Sequence, residues 1–119
     1  MRGGTLEDKK ANIINDLLFS KNICIFGLGK LFFDTYNNIP WKNVLLSDRE
    51  GICSDNCKKY KDDDACLYGL KFVEPKKLKY YDDLVVVTYV MDDSEIKQQL
   101  NNMGIHKIVN IYEIFNIFD

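Results

Sequence analysis

The feature that most constrains this chain of 119 residues is a short apolar run that ends in a glycine turn. Residues 22 to 27, NICIFG, are rich in β-branched and aromatic side chains and are bounded by Gly27-Leu28-Gly29, which is typical of a buried parallel strand. Residues 30 to 38, KLFFDTYNN, continue as a short helix that ends before Pro40. This order of strand, tight turn and helix favours the first βαβ unit of a parallel sheet.

Further apolar runs extend this unit into a larger sheet. Four more strands are predicted over residues 43–48, 70–73, 84–90 and 107–112. Pro75 begins a helical turn that runs through Leu78, and residues 92 to 103 form a helix that Gly104 ends at the C′ position. The polar residues 49 to 69 are expected to form a loop with one helical turn at most.

A helix precedes the first strand. Residues 5 to 20 have Thr5 as an N-cap, and an apolar face is formed by Ile13, Ile14, Leu17 and Leu18. Because strands and helices alternate along the rest of the chain, we expect one α/β domain over residues 1 to 119, with its βαβ core over 21 to 112. The expected architecture is a Rossmann-like three-layer sandwich with a parallel sheet of about five strands in the order 3-2-1-4-5.

Three segments meet where this strand order reverses, at the carboxyl ends of the strands, which is where open parallel sheets bind ligands. The candidate binding residues are Gly27, Leu28, Gly29, Lys30, Asp48, Arg49, Thr88 and Tyr89. Gly27 allows a tight turn, and Gly29 allows close approach of a ligand to the N–H groups that begin the next helix. Asp48 lies 19 residues after Gly29, where a carboxylate accepts hydrogen bonds from a ribose, and Arg49 can reach a phosphate or a base.

Each of these residues also has a purely structural interpretation. The glycine turn can be a tight connection, and Asp48 can cap a turn. Arg49 can be a solvated surface charge, and Thr88 and Tyr89 can pack at a strand end. Phe32 stands where the G-x-G-x-x-G fingerprint has its third glycine, which disfavours a standard NAD site. The chain is also too short for the second half of a dinucleotide fold.

Four stretches together resemble a known family. They are KNICIFGLGKLFFDTYNNI, VLLSDRE, GLKFVEPKKLKYYDDLVVVTY and SEIKQQLNNMGIHKIVNI. Over residues 21 to 112 the chain resembles the small Rossmann-like module at the N-terminus of bacterial sugar acetyltransferases that modify nucleotide-linked amino sugars. Similar modules are attached to other enzymes of surface-polysaccharide pathways. The resemblance implies nucleotide-sugar binding through Gly27, Gly29 and Asp48. It does not imply acetyl transfer, because the acetyltransferase's catalytic histidine and left-handed β-helix have no counterpart here.

The cysteines leave three alternatives open. One alternative is that Cys53, Cys57 and Cys66 bind a metal, with Asp55 or a water as a further ligand. The others are that Cys53 and Cys57 form a redox pair, or that all three are plain loop thiols. Cys24 lies inside the first strand and is expected in the core. His106, the only histidine, is expected at the surface, so we predict no metal site.

Charge and hydropathy disfavour several classes of partner for this protein. The net charge of −2 does not favour nucleic acid or anionic lipid as a partner. No apolar run approaches 18 residues and the N-terminus has no apolar signal segment, so we expect a cytoplasmic protein without a membrane partner. No catalytic set is recognisable, because Asp92 and Asp93 are expected only to cap the helix that follows them.

We therefore expect a nucleotide or nucleotide-sugar binding module without its own catalytic set, as a domain or partner of a sugar-modifying enzyme. One alternative is a fragment of an NAD(P)-linked enzyme whose catalytic groups come from another chain or domain. The other is a structural or interaction module that has lost its ligand. The helix over 5–20 and the apolar tail IYEIFNIF motivate this last alternative, which includes a homodimer.

Overall fold

The computed structural model describes residues 6–39, 41, 51–57 and 69–118. Five strands are β1 (Asn22–Phe26), β2 (Gly51–Ser54), β3 (Lys71–Phe72), β4 (Leu84–Thr88) and β5 (Ile108–Asn110). Four helices are α1 (Leu6–Phe19), α2 (Lys30–Thr35), α3 (Ser94–Asn102) and α4 (Ile111–Phe118), with 3-10 turns at Tyr36–Asn38 and Pro75–Tyr80. All strand pairs are parallel and their order is β3-β2-β1-β4-β5, which confirms the predicted α/β class and topology.

The two faces of the sheet are covered by different elements because side chains alternate along each strand. Ile23 and Ile25 of β1 lie in a core that contains residues of α1, α2 and α4. Cys24 and Phe26 face the other way, into a core with Leu100 of α3 and Leu78 of the second 3-10 turn. The helices on both faces make the three-layer sandwich that the sequence predicts.

The helix that precedes the first strand is part of the core. Leu17 of α1 is fully buried, and Ile13 packs against the same cluster. The predicted N-terminal helix is therefore present and covers one face of the sheet. Thr5, its predicted N-cap, lies outside the described residues.

The second strand lies in a part of the chain that the sequence predicts to be a loop. The strand that pairs with β1 is Gly51–Ser54, within the stretch expected to be a loop. Ser54 is fully buried, and its hydroxyl is satisfied there because its Oγ donates a hydrogen bond to the Val73 carbonyl at 2.6 Å. Residues 43 to 48, the predicted second strand, lie outside the described residues.

The end of the fifth strand also differs from expectation. The predicted strand over 107–112 ends at Asn110, where α4 begins without a loop. The Asn110 Oδ1 accepts a hydrogen bond from the Tyr112 N–H at 3.0 Å, and the Glu113 Oε1 accepts one from the Asn110 N–H at 3.2 Å. This reciprocal capping box stops the strand and starts the helix. Pro75 begins a helical turn as predicted, but the turn runs to Tyr80 and not only to Leu78. Gly104 follows the C-cap of α3 at the predicted C′ position, with φ +84°.

The cysteines are in dissimilar environments. Cys24 and Cys53 are buried in strands, so the expectation that Cys53 lies in a loop is wrong, whereas Cys57 is exposed. Burial, and secondarily Cys53, raises the pKa of the Cys24 thiol. Cys66 lies outside the described residues. His106 is exposed as predicted, and its Nδ1 lies 2.9 Å from the Asn101 Oδ1.

None of the helices in the described ranges is both long and apolar enough to cross a membrane.

Candidate functional site

A groove of about 550 Å³ lies at the carboxyl ends of β1 and β4. Its described lining consists of Gly27, Gly29, Lys30, Leu31, Asp34, Asp55, Tyr89, Val90, Met91 and Tyr112. The chain leaves β1 toward α2 on one face of the sheet and leaves β4 toward α3 on the other. The groove therefore occupies the switch point, where open parallel sheets bind their ligands.

Asp55 is the acidic residue that the structure places at this point. It directly follows β2, and its Oδ2 accepts a hydrogen bond from the Leu28 N–H at 2.6 Å. Its Oδ1 accepts a second one from the Cys57 N–H at 2.7 Å. Two main-chain donors thus fix the carboxylate against the glycine turn and in the groove. Asp48 and Arg49, which the sequence predicts here, lie outside the described residues.

The turn itself requires glycine at one position. Gly27 has φ +106°, and its N–H donates to the Ser54 carbonyl at 3.0 Å, which ties the turn to the end of β2. A Cβ on Gly27 would lie 3.1 Å from the Val90 Cγ1. Gly29 has an ordinary φ of −101°, and a Cβ there would meet nothing within 4 Å. Gly27 therefore serves the fold, whereas Gly29 keeps its part of the groove open.

We expect these two glycines to respond differently to substitution. Gly27→Ala should lower the free energy of unfolding by about 1–2 kcal/mol, because alanine is strained at this φ and crowds Val90. Gly29→Ala is the matched control and should change stability by less than about 0.5 kcal/mol. Urea unfolding followed by circular dichroism measures both values. Equal effects at the two positions would contradict this account of the turn.

Opposite charges meet at the rim of the groove. The Lys30 Nζ lies 2.6 Å from the Asp34 Oδ2, one helical turn further along α2, and both side chains are exposed. The hydrogen bond and the charge of Asp34 raise the pKa of Lys30. The ammonium is therefore available to an anionic group only if that group competes with Asp34.

A buried aromatic cluster lies next to the groove, and of its members Tyr89 is in the groove lining. Tyr89 is 1% exposed, and its hydroxyl accepts a hydrogen bond from the Trp41 indole N–H at 2.8 Å. Burial raises the pKa of Tyr89 far above its ordinary value, so the phenol stays neutral. The Phe32 ring packs edge-on against Tyr89, with ring centroids 5.4 Å apart. Phe32 thus fills the interior between α2 and the end of β4.

Behind the groove lies a buried polar cluster. The Thr88 Oγ1 donates to the Asp93 Oδ2 at 2.6 Å, and the Asn110 Nδ2 donates to the same oxygen at 3.1 Å. Burial alone raises the pKa of Asp93, but these two hydrogen bonds and the Lys97 ammonium outweigh burial, so the pKa is below its usual value. Asp93 occupies the N-cap position of α3 without a side-chain cap bond, and Asp92 accepts from the Ser94 N–H instead.

The structure brings only some of the predicted residues together. Gly27, Gly29, Lys30 and Tyr89 line the groove, and Leu28 contributes its N–H to Asp55. Thr88 is fully buried in the polar cluster and does not reach the groove surface.

Val90 follows Tyr89 at the end of the predicted fourth strand and is expected at the switch point with it. Four other lining residues are not predicted there from the sequence: Leu31, Asp34, Met91 and Tyr112. Asp55 is predicted only as a metal ligand. The signal that could have placed Asp55 at the groove is its position directly after the run Gly51–Ser54.

The described lining of the groove offers a hydrogen-bond acceptor, a cation and several apolar side chains. Asp55 offers a fixed hydrogen-bond acceptor, and Lys30 offers a cation that is shared with Asp34. Leu31, Val90 and Met91 offer apolar contact, and Met91 is 81% exposed. Such a groove is suited to hold a ligand that carries both hydroxyl groups and a flat or apolar part.

No protein-family model matches the sequence, and no curated protein shows significant similarity to it.

Proposed function

We propose that the groove binds a nucleotide or a nucleotide-linked sugar, and that the protein acts as a binding module of a sugar-modifying enzyme or as its partner. The observation that carries this proposal is the Asp55 carboxylate. It is fixed on the glycine turn by the Leu28 N–H and exposed to a groove at the switch point of the sheet.

Asp55 supports recognition of a ribose. Each carboxylate oxygen accepts one main-chain hydrogen bond and keeps further acceptor capacity. Vicinal hydroxyl groups can donate to both oxygens at once, and hydrogen bonds to an ionised acceptor are the stronger ones. Because its two main-chain bonds already orient the carboxylate, little conformational entropy is lost when a diol binds.

The remaining groups of a nucleotide have counterparts along the groove. Val90, Met91 and Tyr112 provide an apolar and aromatic wall against which a base can pack. A phosphate can take the Lys30 ammonium from Asp34. The volume of about 550 Å³ lies within the range of about 300–1,000 Å³ that is usual for small-molecule sites.

Calorimetric titration with ADP, UDP, a UDP-sugar, NAD and NADP tests the proposal. At least one of them is expected to bind, and Asp55→Asn should weaken that binding about tenfold or more, because an amide offers one uncharged acceptor in place of two charged ones. Asp82→Asn is the control, since Asp82 is an exposed aspartate just before β4, at the opposite end of that strand. Absence of binding of all five ligands at millimolar concentration would overturn the proposal.

A further inference from the structure

One side chain behind the groove connects its two walls. The Asn110 Nδ2 donates a hydrogen bond to the Val90 carbonyl at 3.0 Å. The Asn110 Oδ1 accepts a hydrogen bond from the Tyr112 N–H at 3.0 Å. Val90 belongs to the connection between β4 and α3, whereas Tyr112 belongs to the first turn of α4, and both residues line the groove. A single amide therefore bridges two segments that follow different strands.

The orientation of this amide is fixed from a second side. The second hydrogen of the Asn110 Nδ2 reaches the Asp93 Oδ2 at 3.1 Å, and that oxygen also accepts from the buried Thr88 hydroxyl at 2.6 Å. Both donors and the acceptor of the Asn110 side chain are thus in use. Aspartate at position 110 would have the same shape and could still cap α4, but it could not donate to Val90 or Asp93.

We propose that Asn110 is the positioning residue of the groove, which sets the separation between the Val90–Met91 wall and the Tyr112 wall. The proposal rests on the proposed function only where ligand affinity is concerned. The mechanical link between the walls exists without a ligand and is tested separately. Asn110 does not line the groove, and it acts through the segments that it holds.

The first experiment uses the protein without ligand. Met91 lies in the wall that the Asn110–Val90 hydrogen bond holds. The NMR signal of its methyl group can be assigned because the chain has only three methionines. Asn110→Asp should shift and broaden this signal. Glu113→Ala is the control, because it removes the second half of the α4 cap and leaves the Asn110 amide intact. It should leave the Met91 signal unchanged.

The second experiment measures affinity for whichever nucleotide binds the unsubstituted protein, at a temperature where every variant is fully folded by circular dichroism. Asn110→Asp should weaken binding about tenfold, whereas Glu113→Ala should not weaken it. Adding Asp93→Asn to Asn110→Asp exchanges donor and acceptor between these two positions but gives the Val90 carbonyl no donor, so it should not restore the affinity. If Asn110→Asp does not fold, Asn110→Ser keeps a capping oxygen and removes the amide donor.

Two results would overturn the positioning role. One is a Met91 signal that Asn110→Asp or Asn110→Ser leaves in place. The other is an equal shift in Glu113→Ala, which would show that the effect comes from the stability of α4. Absence of nucleotide binding by the unsubstituted protein would instead overturn the proposed function, and the Met91 measurement would still decide whether Asn110 holds the walls.

Discussion

Phe32→Gly, which completes the G-x-G-x-x-G spacing, is expected to lower the free energy of unfolding by about 4–6 kcal/mol. The first part of this value, about 3–5 kcal/mol, is the usual cost of truncating a buried phenylalanine to alanine. The remainder, about 1 kcal/mol, is the cost of glycine relative to alanine within a helix. Domains of this size are commonly stable by about 5–15 kcal/mol, so this loss is a large fraction of the total and would unfold a protein at the low end of that range.

The physical reason lies in what the ring contacts. Phe32 is fully buried, and its ring lies 5.2 Å from that of Tyr36 and 5.4 Å from that of Tyr89, measured between centroids. Tyr36 in turn stacks on Trp41. Removing the Phe32 ring would leave a cavity at the centre of this aromatic cluster, and the rigid sheet beneath it cannot close the gap.

Phe33→Ala is the matched control, because Phe33 is the adjacent residue in α2 and is 44% exposed. Its substitution should cost about 1 kcal/mol or less. Urea unfolding followed by circular dichroism, with the fluorescence of the single tryptophan as a second probe, measures both variants. A Phe32→Gly protein as stable as Phe33→Ala would show that the helix can approach the sheet as it does in the standard fingerprint.

The strand order could be predicted from the sequence, whereas the packing of Phe32 could not. Apolar runs that alternate with helical segments were sufficient to predict the strand order, because parallel strands are buried on both faces and their sequences show it. β1 and β4 each start where predicted, since nearly every side chain in them is apolar. Phe32 was correctly singled out as a departure from the fingerprint, but its packing on Tyr89 depends on contacts between distant segments.

β2 could not be located from the sequence for a similar reason. The run Gly51–Ser54 is short and includes glycine and serine, so it does not stand out as apolar. The polar Ser54 can be buried because Val73 of a neighbouring segment accepts its hydrogen bond. A carboxylate after the second strand is predicted from the sequence at Asp48, which lies outside the described residues, and the structure has one directly after β2 at Asp55.

The groove walls were the least predictable part. Val90, Met91 and Tyr112 carry no motif, and Tyr112 was expected in a strand. Their positions depend on Asn110, whose role as helix cap and bridge is visible only when β5 and the end of β4 lie side by side. Hydrogen bonds between distant residues thus decide the geometry of a site whose general position follows from topology.

Asp93→Ala is expected to lower the free energy of unfolding by about 2–3 kcal/mol at pH 7. The substitution removes the charged acceptor shared by Thr88 and Asn110, and it leaves the fully buried Thr88 hydroxyl without this partner. The loss of an acceptor beside buried donors costs more than the loss of an exposed hydrogen bond, because water cannot replace it. Glu95→Ala, at an exposed carboxylate in the first turn of α3, is the control and should have little effect.

The cost of Asp93→Ala should depend on pH in a direction that the pKa of Asp93 determines. Burial alone would raise this pKa, but the hydrogen bonds from Thr88 and Asn110 and the charge of Lys97 lower it below that of the unfolded chain. The ionised carboxylate therefore stabilises the folded protein above the unfolded pKa of about 4, and this stabilisation is lost as the pH falls through the folded value. The stability gap between the unsubstituted protein and Asp93→Ala should be constant from pH 7 to 5 and narrow toward pH 3, in urea titrations at each pH. A gap that stays constant to pH 3 would mean that Asp93 acts as an acceptor whose charge contributes nothing.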